Sequence, residues 1–258
     1  MAQKKGNNIR TTSFIITAFI VSLLFTALPT KGQTLTFSGR EWKIKPTSTG
    51  KPPGNNNWSE NNAWVDSLDQ LHLKISYSHA ENKWYCAEVI SKDSLSFGTY
   101  QWNVIGRIDS FDKNIVLGLF QYRGPDGQNE IDIEMAKFEN ESAEAGNFSV
   151  YPSKSGIDYS SNTFVISLSG TYTTHRYKWN SDSVIFQTLA GHRDDDVNEI
   201  KRWEYIPPST STSNNYNDHI PQLPMPVYIN LWLRSGQPPS DGNEVEIMIK
   251  SFRYSQEK

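Results

Sequence analysis

Glu130, Asp132 and Glu134 stand at i, i+2 and i+4 in the run Gln128-Asn129-Glu130-Ile131-Asp132-Ile133-Glu134-Met135. A strand sends alternate side chains to opposite faces, so the three acids share one face while Ile131 and Ile133 point into a core. At ~3.3 Å rise per residue the Cα atoms of Glu130 and Glu134 lie roughly 13 Å apart, and leaning side chains bring the carboxyls to roughly 5–6 Å. At that separation one carboxylate can attack an acetal carbon while the other protonates the departing oxygen. No lysine or arginine interrupts the acids. Like charges therefore crowd together, and each ionised carboxylate raises its neighbours' affinity for a proton. An acidic, solvent-facing strand would carry the same pattern, so the surroundings must separate the two readings.

The elements around this strand are short, alternating or apolar, and divided by turn residues. Segment 115–122 is a nearly continuous apolar strand, and Gly124-Pro125-Asp126-Gly127 is a turn signal. The acid strand follows at once, which predicts a hairpin with the acids inside a sheet. Further strands are expected at 35–44, 64–65, 71–75, 84–91, 98–108, 148–151, 163–168, 174–179, 184–189, 227–234 and 245–254. Tyr100, Trp102 and Val104 share one face, which makes Trp102 a core residue rather than a ligand platform. There is no internal repeat and no amphipathic helix, so the pattern predicts an all-β sandwich or jelly roll. Loops are expected at 46–57 and at 207–226, a single long connection holding five prolines and a candidate rim for a cleft.

Strand 227–234 is the second informative element. Val227, Ile229, Leu231 and Leu233 form an apolar face. Tyr228, Asn230, Trp232 and Arg234 form the other, on which aromatic faces, an amide and a guanidinium could stack on sugar rings and bond their rims. An ordinary solvent face is the alternative, and an exposed Trp232 without a partner would be unusual there.

Lys4, Lys5 and Arg10 precede an uncharged, largely apolar run at 14–28, shorter than the ~20 residues of a membrane span and suited to a signal peptide. Thr30 and Gly32 place the expected cleavage before Gln33, giving a signal peptide at 1–32 and one domain at 33–258; an uncleaved anchor is the alternative. Cleavage would remove four cations and no acid, taking the formal charge from −3 to −7. A mildly acidic exported protein is a poor nucleic-acid binder. Cys86 is the only cysteine, which excludes an intrachain disulfide and a thiolate metal cluster. Asp194, Asp195 and Asp196 are adjacent and point in different directions, which favours a solvated loop over a calcium loop.

Four segments together resemble glycoside hydrolase family 16: Cys86-Ala87-Glu88, Gly98-Thr99-Tyr100, Glu130 to Glu134, and Asn230-Leu231-Trp232 after a proline-containing loop. The regular two-and-two spacing of the acids is similar to the licheninase and xyloglucan-enzyme branch. The resemblance implies a concanavalin A-like jelly roll of two antiparallel sheets with a concave glycan-binding cleft. It implies Glu130 as nucleophile, Glu134 as general acid/base, Asp132 as helper, and Glu88, Asn230 and Trp232 lining the subsites, with Tyr228 and Arg234 added from the strand face. Such a chain is expected to be a secreted or periplasmic monomer. It would hydrolyse internal β-glycosidic bonds of a polysaccharide, a β-glucan on this resemblance, with no membrane association after cleavage, no cofactor and no metal site. Departures bear on substrate. Gln128 and Asn129 stand where licheninases carry a tryptophan and an acid, Ile90 replaces a substrate-binding arginine, Asn56 replaces the disulfide partner of Cys86, and Lys250 replaces a calcium-binding aspartate. A transglycosylase on the same fold and a non-catalytic, lectin-like module remain alternatives.

Overall fold

Alternation decides which side of each strand is buried. In the computed structural model, which describes Met1, residues 32–207 and residues 215–256, Ile131, Ile133 and Met135 are fully buried beneath the acid face. The signal-peptide reading falls on residues 2–31 and lies outside the described residues, as do 208–214 of the long loop.

The described strands of the unit Gly32–Lys258 are, in chain order, β1 (Thr34–Phe37), β2 (Arg40–Ile44), β3 (Ser48–Lys51), β4 (Asn56–Trp58), β5 (Ala63–Val65), β6 (Leu71–Ser78), β7 (Lys83–Tyr85), β8 (Ala87–Leu95), β9 (Gly98–Ile105), β10 (Ile115–Tyr122), β11 (Glu130–Ala136), β12 (Gly146–Tyr151), β13 (Ser160–Phe164), β14 (Tyr172–Trp179), β15 (Val184–Ala190), β16 (Glu199–Tyr205), β17 (Met225–Leu233) and β18 (Val245–Gln256). One antiparallel sheet runs β1-β2-β8-β17-β10-β11-β12-β13. The other runs β16-β15-β14-β9-β18-β6-β5, with β7 beside β6, and β3 pairs with β4 separately. The two large sheets make a jelly-roll sandwich. Trp42, Trp102, Trp179, Tyr100, Tyr177, Phe148 and Phe186 are fully buried in its core, so Trp102 is a core residue. One short helix, α1 (Tyr216–His219), lies in the described part of the long loop.

Three expected segments differ from the fold, each for a local reason. Segment 35–44 is two strands, because Ser38 and Gly39 both have positive φ (50° and 69°) and close a hairpin. Segment 84–91 divides at Cys86, whose N–H donates to Asn57 O at 2.8 Å and whose carbonyl accepts from Ser59 N at 3.1 Å. Segment 163–168 gives way to β13, four residues of which are Ser, Asn or Thr, an edge strand that alternation of apolar residues does not reveal. β16 was unforeseen. It is a charged edge strand, and its register shifts opposite Thr188 and Leu189, which blurs the period of two.

Candidate active site

The acid strand owes its place to the hairpin. Asn129 adopts φ 51°, a conformation asparagine tolerates, with its N–H donating to Pro152 O (2.8 Å) and its carbonyl accepting from Arg123 N (2.9 Å). β11 then pairs with β10 as Tyr122↔Glu130, Phe120↔Asp132 and Gly118↔Glu134, and with β12 as Glu130↔Tyr151, Asp132↔Ser149 and Glu134↔Asn147. All three acids therefore lie inside the sheet on the face away from the core. Asp132 is only 5 % exposed, and Glu130 and Glu134 are half-buried.

Burial is the leading influence on each acid and raises all three above the ordinary carboxylate range. For Glu130 the charge of Glu134 adds to the rise and a hydrogen bond with Asp132 opposes it. The same bond raises Asp132, so the two carboxyls hold a proton between them and titrate as a pair. Glu134 is held differently. Asn147 Nδ2 donates to its Oε2 at 3.1 Å and to Ser149 Oγ at 3.0 Å, and the charge of Arg234 also pulls against burial. The strand thus presents a proton-sharing pair, Glu130 with Asp132, and a third carboxyl, Glu134, held apart from it by an amide and a nearby guanidinium. Attack at one centre and proton donation at another need two carboxyls in different surroundings.

The remaining sequence-predicted residues separate by exposure. Glu88 and Asn230 are paired on adjacent strands. Asn230 Nδ2 donates to Glu88 Oε2 at 3.0 Å, and Lys45 Nζ lies 2.9 Å from Glu88 Oε1. Asn230 is 1 % exposed and its Oδ1 has no partner among the described residues. That oxygen lies across Gly118, where an added Cβ would come within 2.5 Å of it, so glycine is required between Asn230 and Glu134. Trp232 is on the same face but only 6 % exposed. Gly54 (φ +70°) covers it so closely that a Cβ there would lie 3.0 Å from its Cζ3. The indole packs under a loop and is not an open platform. Arg234 lies just past β17 in a 3-10 turn, exposed, with its guanidinium 5.6 Å from the Phe138 ring centre.

Tyr228 is the one wall residue that forms an aromatic surface. It stacks on Phe120 (4.9 Å between centres, 19°) and meets Tyr122 edge-on at 6.2 Å. Phe120, Tyr122, Tyr151 and Lys45 were missed, although with Pro52, Pro53, Glu88, Asp126, Gly127, Glu130 and Tyr228 they line a cleft of about 530 Å³ beside the triad. The signal was available. Gly118, Phe120 and Tyr122 are alternate residues facing the acids across the hairpin, but a continuous apolar run reads as core on both faces.

Cys86 is fully buried and donates through Sγ to Asn56 Oδ1 at 3.3 Å. Asn56 Nδ2 in turn donates to Pro53 O and Leu233 O, both at 2.7 Å. A hydrogen-bonded pair thus stands at the place of the disulfide the resemblance implies. Burial pushes the thiol up to about 12, which keeps it unreactive.

No family model and no curated protein matches the chain. Solved structures do. A β-glucanase of Bacillus licheniformis is 21% identical and covers 88% of this chain and 100% of its own, with a TM-score of 0.61. A β-1,3-1,4-glucanase (lichenase) from a mouse hindgut metagenome is 18% identical, covering 83% and 92%, with a TM-score of 0.58. A pseudo β-1,3-glucanase of Mycobacterium tuberculosis, also an immunostimulatory antigen, is 16% identical, covering 84% and 91%, with a TM-score of 0.64. At these identities the likeness establishes the fold: this chain is built as a β-glucanase-type jelly roll.

Proposed function

We propose that the chain is a retaining glycoside hydrolase that cuts internal β-linkages of a neutral polysaccharide, a β-glucan being the best fit. One observation carries the reading: three carboxyls share one strand face beside a cleft, with Asp132 hydrogen-bonded to Glu130. Glu130 attacks the anomeric carbon while Glu134 passes its proton to the glycosidic oxygen, which leaves with the bonding pair. Glu134, now a carboxylate, takes a proton from the incoming water, which displaces Glu130 and restores the original configuration. Asp132 keeps its proton on the Glu130 side and holds the nucleophile in line.

The fold alone does not choose between a catalyst and a binder, since one similar structure is a pseudo-glucanase. The complete triad favours the catalyst, because a glycan-binding module has no use for a buried, mutually repelling trio of acids. Export, a monomeric state and the absence of a cofactor belong to the same proposal. Proton NMR of the first products from a β-glucan should show the β-anomer. Inverted products would sink the double displacement, and lengthened oligosaccharides in place of new reducing ends would assign a transglycosylase.

Substrate choice rests on the departures. Ile90 lies in register with Tyr228 and offers no charged donor to a sugar. A lost hydrogen bond from a charged donor costs about 1.5–3 kcal/mol, roughly one to two powers of ten in catalytic efficiency. Mixed-linkage glucan should accordingly be a poorer substrate than another β-glycan in a panel with laminarin and xyloglucan.

A further inference from the structure

Tyr151, in register with Glu130, does not end the row of large side chains on the cleft face. β12 and β13 are paired as far as Val150↔Ser160, so Tyr159 falls directly beside Tyr151 one step further on. Their rings are parallel, 4.8 Å between centres and 14° apart. A row Tyr122, Glu130, Tyr151, Tyr159 thus crosses the sheet to its edge. Tyr159 is 54 % exposed, since Tyr151 covers one ring face and β13 is the last strand of the sheet. A large aromatic left open in this way adds nothing to the core.

The surroundings narrow what would cover it. β12 (GNFSVY) and β13 (SSNTF) contain no charged residue. Ser149, Ser161 and Thr163 stand on the same face as the two tyrosines. Thr163 Oγ1 donates to Glu144 Oε2 at 2.5 Å and the exposed Asp158 precedes Tyr159, so hydroxyls and carboxylates border this edge of the face. An aromatic plane bordered by hydroxyls and carboxylates can stack on a neutral sugar and accept its hydroxyl protons, and it repels an anionic polymer. With strands ~4.8 Å apart, Tyr159 lies about 10 Å from the catalytic strand, beyond the reacting pair of sugars and on the side away from Glu88. Resting on the function proposed above, we infer that Tyr159, backed by Tyr151, is a stacking platform for a neutral pyranose residue of a long glycan chain.

Calorimetric titration tests this, with cello-, laminari- and mixed-linkage oligosaccharides from dimers to hexamers and a Glu134→Gln background that stops turnover. Tyr159→Ala should weaken binding of the longest chains by about 5- to 150-fold, if sugar stacking compares with base stacking, and leave the shortest unchanged. Tyr159→Phe keeps the ring and should bind like the parent. Tyr159→Leu, apolar but not planar, should behave like the alanine variant and replaces it if the latter folds poorly. Affinities independent of residue 159 at every length, or no binding of any oligosaccharide, would overturn the platform. Binding that depends on Tyr159 in a protein that hydrolyses no polymer would uphold the platform and sink the hydrolase reading; hydrolysis with binding indifferent to Tyr159 would do the reverse.

Discussion

The molecule holds two clusters of three acids that meet opposite fates. Asp194, Asp195 and Asp196 are consecutive on a loop, and each finds its own guanidinium: Arg253 for Asp194, Arg193 for Asp195 at 2.9 Å, and Arg176 for Asp196. The Arg193 guanidinium beside Asp195 holds its carboxyl below the usual range. Glu130, Asp132 and Glu134 are spaced by two on a strand, so they converge, and among the described residues none forms an ion pair. Burial pushes all three up instead. Equal numbers of acids thus give a salt-bridged surface in one place and a store of protons in the other. Backbone period and access to cations decide which.

The largest expected contrast between them is catalytic. Glu130→Ala should remove nearly all activity. Glu134→Gln should lower kcat by about 10²–10⁴, less on substrates with good leaving groups, and should abolish the alkaline limb of the pH profile. Asp195→Asn in the loop should leave kcat unchanged. A comparable loss from the loop variant would erase the distinction.

Stability should move in the opposite direction. Asp132 is raised, so the folded protein holds a proton that the unfolded chain releases above pH ~3.9. Its stabilising contribution is complete below that pH and is lost as pH rises toward the folded-state value. Asp132→Asn keeps the donor without the ionisation. Its unfolding free energy in denaturant should therefore exceed the parent's by a margin that grows from pH 4 to 8, at a slope no steeper than ~1.4 kcal/mol per pH unit. A margin that shrinks with pH would show the buried acid to be stabilised as a carboxylate.

A smaller effect belongs to the loop. The nearly buried Arg176 donates to Gln187 Oε1 (2.8 Å) and Asp195 O (3.1 Å) as well as to Asp196. Arg176→Ala strands those acceptors and should cost about 1–3 kcal/mol in denaturant unfolding. Asp195→Ala removes an exposed pair and should stay within about 0.5 kcal/mol. The smallest expected effect is that of calcium. With the loop carboxylates engaged by arginines, Tm in chelator and in millimolar calcium should coincide; a rise of several degrees would show that the loop releases its arginines for a cation.

Legibility followed the physics of each element. The β10–β11 hairpin was readable because a turn signal, an apolar run and strict alternation agree over adjacent residues. The wall was readable only in part. Tyr228 stands open, but Trp232, equally placed by alternation, is covered by a loop that begins some 180 residues earlier in the chain. Arg234 leaves the strand because the chain turns there, its N–H donating to Asn114 O at 2.7 Å. Tyr159 was hidden by the polar character of β13.

Period and residue type along the chain were enough to determine an all-β sandwich, an acid face inside a hairpin and the three carboxyls most able to work together. These are local properties, set by the two-residue repeat of a strand and the turn that closes it. Which proton sits between Asp132 and Glu130, which aromatics stand open beside them, and which carboxylates meet an arginine were decided by tertiary structure. Those outcomes depend on desolvation and on neighbours brought from distant strands, and a linear pattern carries neither.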